Sequence, residues 1–270
     1  MDIPACGMAG DAGGCGSDFV LCASFLGSGS QVALGKRYAL WRFSLLDSGT
    51  RHISVDGFKK KLNMDRELRT KETYNRIAKQ WASEHNTLEY WRKEFEAFSR
   101  LLPQGTVADV GCGAGRDYQL FREKKNQYDY VGFDYSSGLV EVARSQFPEA
   151  HFILGDMYQS SFENATFDGF WAAASLLHIP KERIGAVLVN VRRIIRPGGI
   201  GAIMLKKGNG EHMVVDDNRN GDTADERFFA YWQKDEFADF LCSSGFEIVD
   251  FFEHPVSERT VWLSFFVKAV

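Results

Sequence analysis

The sequence predicts an α/β protein in which a mostly parallel sheet carries helices on both faces. Three observations lead to this fold class. Short apolar runs alternate with amphipathic segments from residue 105 onward, a glycine-rich turn follows the first run, and two apolar runs with no helix between them close the chain. Strand–helix alternation is typical of parallel sheets, because each parallel connection needs a crossover. The closing pair breaks the alternation, so we expect one antiparallel strand near the end.

Residues 1–63 differ in composition from the rest of the chain. They hold ten of the 26 glycines and three of the five cysteines, and their apolar residues show no regular spacing. So little patterned apolar surface does not offset the entropy cost of ordering a segment. We therefore predict a poorly ordered or peripheral extension at 1–63 and a folded domain at 64–270. A further hypothesis is that natural translation starts at Met64, where regular helical spacing begins.

The apolar spacing assigns the elements of the domain in order. Residues 64–104 predict N-terminal helices that end before Pro103. Strands are then predicted at 106–111, 128–134, 150–156, 167–175 and 200–207, helices at 116–125, 136–147, 181–196 and 234–245, and closing strands at 246–255 and 259–269. Ser136 or Ser137 is expected to cap a helix, because a serine hydroxyl accepts from a free backbone N–H there.

Residues 208–227 are polar and rich in Gly, Asp and Asn. A connection of this length in a compact domain is typical of a lid or a binding loop. The aromatic cluster at 228–232 that follows it predicts core packing, with the wall of a pocket as the alternative.

The segment Val107–Asp117 places three glycines between a predicted strand and a predicted helix. Gly111, Gly113 and Gly115 have the spacing GxGxG. Glycines there allow a tight turn and let backbone N–H groups approach a ligand without interference from a Cβ atom. The dinucleotide fingerprint has the spacing GxGxxG, which disfavours an NAD-dependent oxidoreductase. A glycine loop by itself predicts no more than a nucleotide site.

Two carboxylates on the next two strands make the prediction more specific. Asp134 ends the second strand, where an acidic side chain can accept hydrogen bonds from both ribose hydroxyls. Asp156 ends the third strand, at a place suited to a carboxylate that faces an adenine amino group. Either aspartate alone is better explained as a turn or helix cap. Because open α/β sheets bind ligands at the carboxyl ends of their strands, the three strand ends together predict an adenosine site.

Five segments resemble the successive motifs of class I S-adenosylmethionine (SAM)-dependent methyltransferases: DVGCGAGRD, GFDYSSGLVEVAR, GDM, FDGFWAAASLLHIP and IIRPGGIGAIMLK. They cover residues 105–206, the implied cofactor half, with helices at 64–104 before it and a substrate loop and closing strands at 207–270 after it. The resemblance implies a Rossmann-like, seven-stranded, mostly parallel sheet with an antiparallel last strand, and SAM as cofactor. The segments ASLLHIP, RFFAYW and RTVWLSFFV are further similar to small bacterial methyltransferases of the tellurite-resistance-like type.

The resemblance also implies roles for individual residues. The implied SAM contacts are Asp109, Gly111, Gly113 and Gly115 around the methionine part, Asp134 at the ribose, Asp156 and the backbone of Met157 at the adenine, and the backbone carbonyls of Ala172 and Ala173 at the ammonium group. Tyr74 would fold over the cofactor, and packing on the core is the alternative for this residue.

His178 follows the fourth strand, at the edge where a methyl acceptor would lie. An unperturbed histidine pKa near 6.5 suits a general base, which is needed only if the acceptor is protonated at neutral pH. Support of the loop is the alternative role. Glu211, His212 and Arg227 are weaker candidates for acceptor contact. No cluster of His, Cys, Asp and Glu has metal-ligand spacing, so no metal is predicted.

The leading hypothesis for function is methyl transfer to a small molecule by direct in-line displacement. An RNA- or protein-modifying methyltransferase and a non-catalytic SAM-binding scaffold are the alternatives. The net charge of −4 gives no general attraction to nucleic acid. The fourth strand is also not followed by the Asn-Pro-Pro-Tyr pattern of amino-directed DNA methyltransferases.

Cysteine usage and hydropathy predict the location. The five cysteines form no CxxC pair, and no apolar run reaches the roughly 20 residues that a membrane span needs. A cytoplasmic protein without membrane contact is expected, and the sequence does not indicate its oligomeric state.

Overall fold

The computed structural model describes residues 21–23, 43–46, 52–53, 55–124, 126–216 and 225–270. The chain divides into two compact units, Met1–Asn63 and Met64–Val270. In the first unit, the described strands β1 (Leu21–Ala23), β2 (Phe43–Leu46) and β3 (His52–Ile53) form an antiparallel sheet in that order. The predicted poor order of residues 1–63 concerns mostly residues outside the described ranges.

The start of the first helix differs clearly from the start that the sequence predicts. Helix α1 spans Val55–Glu84, so it begins well before the predicted start at residue 64. Helical spacing is therefore no guide to a translation start at Met64, and that hypothesis stays a prediction. A 3₁₀ turn at Leu88–Trp91 and helix α2 at Arg92–Leu101 follow.

The second unit is built on a seven-stranded sheet. Its strands are β4 (Gly105–Val110), β5 (Tyr128–Asp134), β6 (His151–Leu154), β7 (Phe167–Ala173), β8 (Ile195–Lys206), β11 (Phe246–Ser257) and β12 (Thr260–Ala269). They lie in the order β11-β12-β8-β7-β4-β5-β6, and β12 runs antiparallel to both of its neighbours while the ladders from β8 to β6 are parallel. The predicted Rossmann-like fold with an antiparallel last strand is confirmed.

Helices connect the parallel strands. They are α3 (Tyr118–Glu123), α4 (Ser137–Gln146), α5 (Lys181–Ile194) and α6 (Lys234–Ser243), with a 3₁₀ turn at Leu176–His178. Of the two predicted caps for α4, Ser136 is the N-cap, and its hydroxyl accepts from the Leu139 N–H at 3.2 Å. The sequence placed the end of α5 at residue 196 and the next strand at 200, whereas β8 begins at Ile195, directly after the helix.

Part of the predicted loop at 208–227 is a hairpin, so that prediction is wrong for its described residues. Strand β9 (Glu211–Asp216) pairs antiparallel with β10 (Asp225–Ala230), and residues 217–224 lie outside the described ranges. Cross-strand pairing overrides the weak local pattern here, because Met213 lies opposite the fully buried Phe228. The predicted core packing of the aromatic cluster is confirmed for Phe228, Phe229 and Trp232.

Candidate active site

The sheet has a switch point between β4 and β7. After β4 the chain continues to β5 and β6 on one side, and it then returns to β7 on the other side. The β4–β7 ladder ends at the pair Asp109–Trp171, so Ala172 and Ala173 extend past the last bridge to β4. A crevice forms where neighbouring parallel strands diverge in this way, and ligands of open α/β sheets bind there. The predicted positions of Ala172 and Ala173 therefore border the crevice.

The three loop glycines have different surroundings. Gly113 has φ +55°, and a Cβ atom built on it would meet no other atom within 4 Å, so its backbone faces open space. Gly111 lies against Ser175, where a Cβ atom would come within 2.4 Å of the serine Cβ. Ser175 in turn donates its hydroxyl to the Val110 carbonyl at 2.5 Å. The space in front of Gly113 is where a ligand has room to approach the loop.

Gly115 faces the protein interior. Its φ is +81°, and an added Cβ atom would lie 2.8 Å from the ring of Phe152 and 3.1 Å from that of Phe147. This glycine permits close packing between the loop and the layer behind it. Its predicted place around the methionine part stays a prediction, and the packing supplies a different reason for a glycine there.

Two buried aspartates lie below the loop. The Asp109 carboxylate is 2% exposed and accepts a hydrogen bond from the Tyr130 hydroxyl at 2.6 Å. Burial raises the pKa of Asp109 well above its usual range, and the nearby Asp117 raises it further. Asp117 accepts from the Trp171 indole at 3.0 Å and from the Arg116 guanidinium at 2.5 Å. The structure thus buries Asp109 against Tyr130 of β5, and a direct contact with SAM stays a prediction.

Asp134 connects the loop with the next helix. One carboxylate oxygen accepts from the Gly113 N–H at 2.9 Å, and the other accepts from the Ser136 N–H at 2.8 Å. Burial raises the pKa of this carboxyl group, and the backbone hydrogen bonds oppose the shift. Each carboxylate oxygen can accept a second hydrogen bond. The side chain is therefore held in place at the crevice with capacity left for ribose hydroxyls.

Asp156 lies past the end of β6 and is half-buried. One of its oxygens accepts from the Tyr158 N–H at 2.8 Å, and the other makes no hydrogen bond with the residues that the structure describes. The Met157 carbonyl accepts from the Asn190 amide at 3.0 Å. The backbone contact of Met157 with an adenine stays a prediction. The unengaged Asp156 oxygen and the open space at Gly113 fit an adenosine cofactor.

Tyr74 and His178 meet across the crevice. The tyrosine hydroxyl lies 2.9 Å from Nε2 of His178, and Nδ1 of His178 lies 2.6 Å from the Phe228 carbonyl. A carbonyl only accepts, so Nδ1 carries the proton and Nε2 accepts from Tyr74. Burial, together with the positive charges of Arg227 and Lys206, lowers the pKa of His178 to about 3. The neutral imidazole is thus fixed in one tautomer.

Helix α1 covers the crevice through contacts that the sequence did not indicate. Thr73 donates its hydroxyl to the Glu226 carbonyl at 2.8 Å, and the Thr70 hydroxyl accepts from the Phe228 N–H at 2.9 Å. Near the adenine side, Glu67 accepts from the Tyr158 hydroxyl and pairs with Arg183. These contacts join α1 to β10 and to the segment after Asp156, so the helix closes one side of the site.

Other candidates from the sequence have structural roles. Glu211 accepts from the Lys181 N–H at 2.7 Å and so caps α5, while His212 is exposed beside the ring of Tyr231. Sequence reasoning missed Asn75, whose amide oxygen accepts from the Gly138 N–H at 3.0 Å and docks α1 on α4. The only signal for Asn75 was its place beside Tyr74. Sequence reasoning also did not single out Lys206, the last residue of β8.

Two further features concern membranes and metals in the described ranges. No helix among those residues is long and apolar enough to cross a bilayer. Their His, Cys, Asp and Glu side chains form no group of three or more that is placed to hold a metal ion.

The sheet order and the three strand ends define a Rossmann-like protein of the methyltransferase type, and comparisons with known proteins agree. Residues 107–199 match a family model described as a methyltransferase domain. An O-methyltransferase of Pyrenophora dematioidea is 28% identical over 177 residues, which are 59% of this chain and 61% of that protein. The O-methyltransferase cnsE of Penicillium expansum is 36% identical over 109 residues, 37% of this chain and 38% of that protein. This chain therefore spans less than two thirds of the length of these two relatives.

A solved structure resembles this chain over most of its length. The 1,6-didemethyltoxoflavin-N1-methyltransferase of Burkholderia thailandensis, with bound 1,6-didemethyltoxoflavin and S-adenosylhomocysteine (SAH), has a TM-score of 0.63 and 17% identity, covering 77% of this chain and 90% of that one. At this identity the likeness shows the fold alone. Residues 107–199 thus match a methyltransferase domain, and the chain has the Rossmann-like fold of SAM-dependent methyltransferases. The narrower tellurite-resistance-like type is not confirmed and stays a prediction.

Proposed function

We propose that this chain transfers a methyl group from SAM to a small-molecule acceptor. The observation that carries the proposal is the composition of the switch-point crevice. On one side lie the open backbone of Gly113 and the carboxylates of Asp134 and Asp156, and on the other lies the Tyr74–His178 pair. The first group suits an adenosine cofactor, and the second borders the space that is left for an acceptor.

When bound, SAM supplies a methyl group on a cationic sulfonium, and direct in-line displacement by the acceptor needs little further activation. The protein has to align the reacting atoms and exclude water. In this chain Asp134 would accept from the ribose hydroxyls, and the second oxygen of Asp156 would accept from the adenine amino group. Helix α1 would exclude water, because its contacts with β10 cover the crevice.

Two observations support a small acceptor over an RNA or a protein. The hydrogen bonds of Thr70 and Thr73 hold α1 against β10 beside the crevice, an arrangement that favours a small acceptor over a polymer. The relatives named above are O-methyltransferases, and the solved neighbour holds a small heterocycle that its name gives as an N1-methylation substrate. We extend a small acceptor to this chain on those grounds and leave the acceptor atom open between oxygen and nitrogen. A cytoplasmic location is part of the same proposal.

For His178 we propose a positioning role. Its Nε2 accepts the Tyr74 proton and its Nδ1–H donates to the Phe228 carbonyl, so both nitrogens have partners. The lowered pKa, about 3, makes the ring a weak base at neutral pH. His178 then fixes the Tyr74 hydroxyl at the border of the acceptor space. The general-base role that the sequence suggested stays a prediction.

Calorimetry with SAM, SAH and NAD tests the cofactor assignment. We expect SAM and SAH to bind, and Asp134→Ala to weaken SAH binding by about 1–3 kcal/mol, the range for a lost charge-assisted hydrogen bond. Asp129→Ala is the matched control, because Asp129 is an exposed aspartate on the same strand β5, away from the crevice. Binding of NAD but of neither SAM nor SAH would refute the proposal.

Methyl transfer from radiolabelled SAM tests the acceptor class. The full chain is incubated with a small-metabolite extract, with tRNA and with total protein. We expect label in the small-metabolite fraction. Label in tRNA or protein alone would replace the small acceptor by a macromolecule, and SAH binding without transfer to any fraction would favour the scaffold alternative.

A further inference from the structure

Lys206 brings an unusual cation to the acceptor side of the site. It ends β8 at the same sheet edge as Ala173 and is half-buried. Its Nζ atom lies 4.4 Å from the centroid of the Phe229 ring and 5.8 Å from that of Trp262. Within the part of the chain that the structure describes, Nζ forms no hydrogen bond and no ion pair with a carboxylate. Burial and the nearby Arg227 lower the pKa of Lys206.

The adjacent Lys207 provides a comparison, because it forms an ion pair with a carboxylate of the protein. It is exposed, and its Nζ atom contacts both carboxylate oxygens of Glu253 at 2.7 and 2.9 Å. Lys207 directly follows the last residue of β8, and successive residues of an extended chain point to opposite faces. Lys207 therefore has a protein counterion on one face, while Lys206 faces aromatic rings on the other.

Arg227 adds a second positive charge beside the same ring. The residue is 8% exposed, and its Cζ atom lies 5.5 Å from the Phe229 centroid and 5.6 Å from the Tyr74 centroid. One guanidinium nitrogen donates to the Tyr74 hydroxyl at 3.4 Å. Phe229 thus contacts both cations, and the His178 ring lies 4.8 Å from it. An anion bound at Lys206 would stabilise the partly desolvated charge of this lysine, which lies close to a second cation.

Resting on the function proposed above, we propose that the methyl acceptor is a planar aromatic anion, held by its carboxylate or phenolate oxygen between Lys206 and Arg227 against the ring of Phe229. The two cations bind the oxygen by charge-assisted hydrogen bonds, and the surrounding rings contact the flat body of the acceptor.

An anionic acceptor also explains why methyl transfer to a phenolate needs no general base. The phenolate lone pair forms the new bond to the methyl carbon, and the electron pair of the broken carbon–sulfur bond stays on sulfur. The products are the neutral methylated acceptor and SAH. An oxygen that arrives ionised has no proton to lose, so the weakly basic His178 is not needed as a base. A carboxylate acceptor balances in the same way when it is itself methylated.

The test measures how strongly the SAH-bound full chain prefers an anion to its neutral analogue. Two probe pairs are titrated by calorimetry: benzoate against benzamide, and 4-nitrophenolate against 4-nitroaniline at a pH where the phenol is ionised. We expect the anion of at least one pair to bind about tenfold more tightly than its neutral partner, the scale of one charged hydrogen bond. The pair that shows the preference distinguishes a carboxylate from a phenolate.

Three variants test whether Lys206 causes the preference for the anion over its neutral analogue. Lys206→Met keeps the length and apolar stem of the side chain, and we expect it to bring the ratio to about one, while Lys206→Arg retains a preference. Lys207→Met removes a neighbouring charge outside the pocket, and we expect it to keep the wild-type ratio. Thermal unfolding of each variant verifies that the protein measured is folded.

Three results would overturn the inference. Equal binding of anion and neutral partner in the SAH-bound wild type removes the substrate class while leaving the methyltransferase proposal intact. A loss of SAH affinity in Lys206→Met would show that Lys206 serves the cofactor and not the acceptor. Failure of the wild type to bind SAH at all would remove the proposed function and this inference with it.

Discussion

The cofactor side and the acceptor side of the site differ in how their residues are assembled. On the cofactor side, Gly113, Asp134 and Asp156 follow one another at the ends of three consecutive strands, and carboxylates hold backbone N–H groups at 2.8–2.9 Å. On the acceptor side, Tyr74 is 104 residues from His178 and 153 from Arg227. The first side is therefore encoded in short motifs, whereas the second exists only after α1, the end of β7 and the hairpin have packed together. The first suits a ligand shared by a family, and the second suits a ligand specific to the protein.

The largest expected effect is a loss of stability on substitution of Gly115, the loop glycine that we assign to packing and not to binding. We expect Gly115→Ala to lower the free energy of unfolding by about 2–4 kcal/mol, because the new Cβ atom combines positive-φ strain with overpacking against Phe152. Urea unfolding measures the loss. Gly185→Ala is the matched control, because Gly185 lies inside α5 with no atom within 4 Å of an added Cβ, and alanine there should be stabilising. Equal effects of the two substitutions would contradict the packing role of Gly115.

On the acceptor side, the next effect is a dependence of stability on pH. The pKa of His178 in the folded protein, about 3, lies below the value of about 6.5 for an unfolded histidine. As the pH falls below 6.5, the unfolded chain takes up the proton first. His178 therefore contributes stability that is complete above about pH 6.5 and is lost toward pH 3, by up to about 1.4 kcal/mol per pH unit.

Urea unfolding of the wild type and of His178→Asn between these pH values isolates this contribution, because the other groups cancel in the difference. The same subtraction with His151→Gln, at an exposed position, controls for the loss of a histidine. The free energies of unfolding of the wild type and of His178→Asn could instead run parallel through the acid range. This result would mean that the His178 ring is protonated in the folded protein at those pH values. The fixed tautomer and the positioning of Tyr74 would then be wrong.

The third prediction returns to the loop, at the glycine that faces open space. We expect Gly113→Ala to cost only about 1 kcal/mol of stability, the strain of a left-handed alanine, yet to weaken SAH binding at least about tenfold, because its Cβ atom occupies the space left for the cofactor. Calorimetry and urea unfolding measure the two effects. Gly115→Ala should show the reverse order of effects. Normal SAH affinity in Gly113→Ala would mean that the cofactor lies elsewhere.

Local sequence was sufficient for the fold class and for the places of Gly113, Asp134 and Asp156 at strand ends, because a parallel α/β sheet brings its strand ends to one edge. It was not sufficient where tertiary contacts decide. The pattern at 208–227 is polar, but pairing with buried Phe228 makes a strand of Glu211–Asp216. The glycine spacing likewise could not show that Gly115 faces Phe152 while Gly113 faces open space. The lowered pKa of His178 arises from burial by segments far apart in the chain, which no motif records.

The smallest expected effect tests the adenine end of the cofactor side. In Asp156→Asn, the amide oxygen still accepts from the Tyr158 N–H, while an NH₂ group replaces the oxygen that has no hydrogen bond within the described ranges. SAH binding should weaken by about 0.5–1.5 kcal/mol, because an acceptor for the adenine amino group becomes a donor. S-inosylhomocysteine, which has a carbonyl oxygen at that position, should bind the variant more tightly than it binds the wild type. Such a reversal between two ligands does not follow from a general loss of stability, so it assigns the contact to Asp156. If both ligands weaken together, the carboxylate supports the turn and does not bind the base.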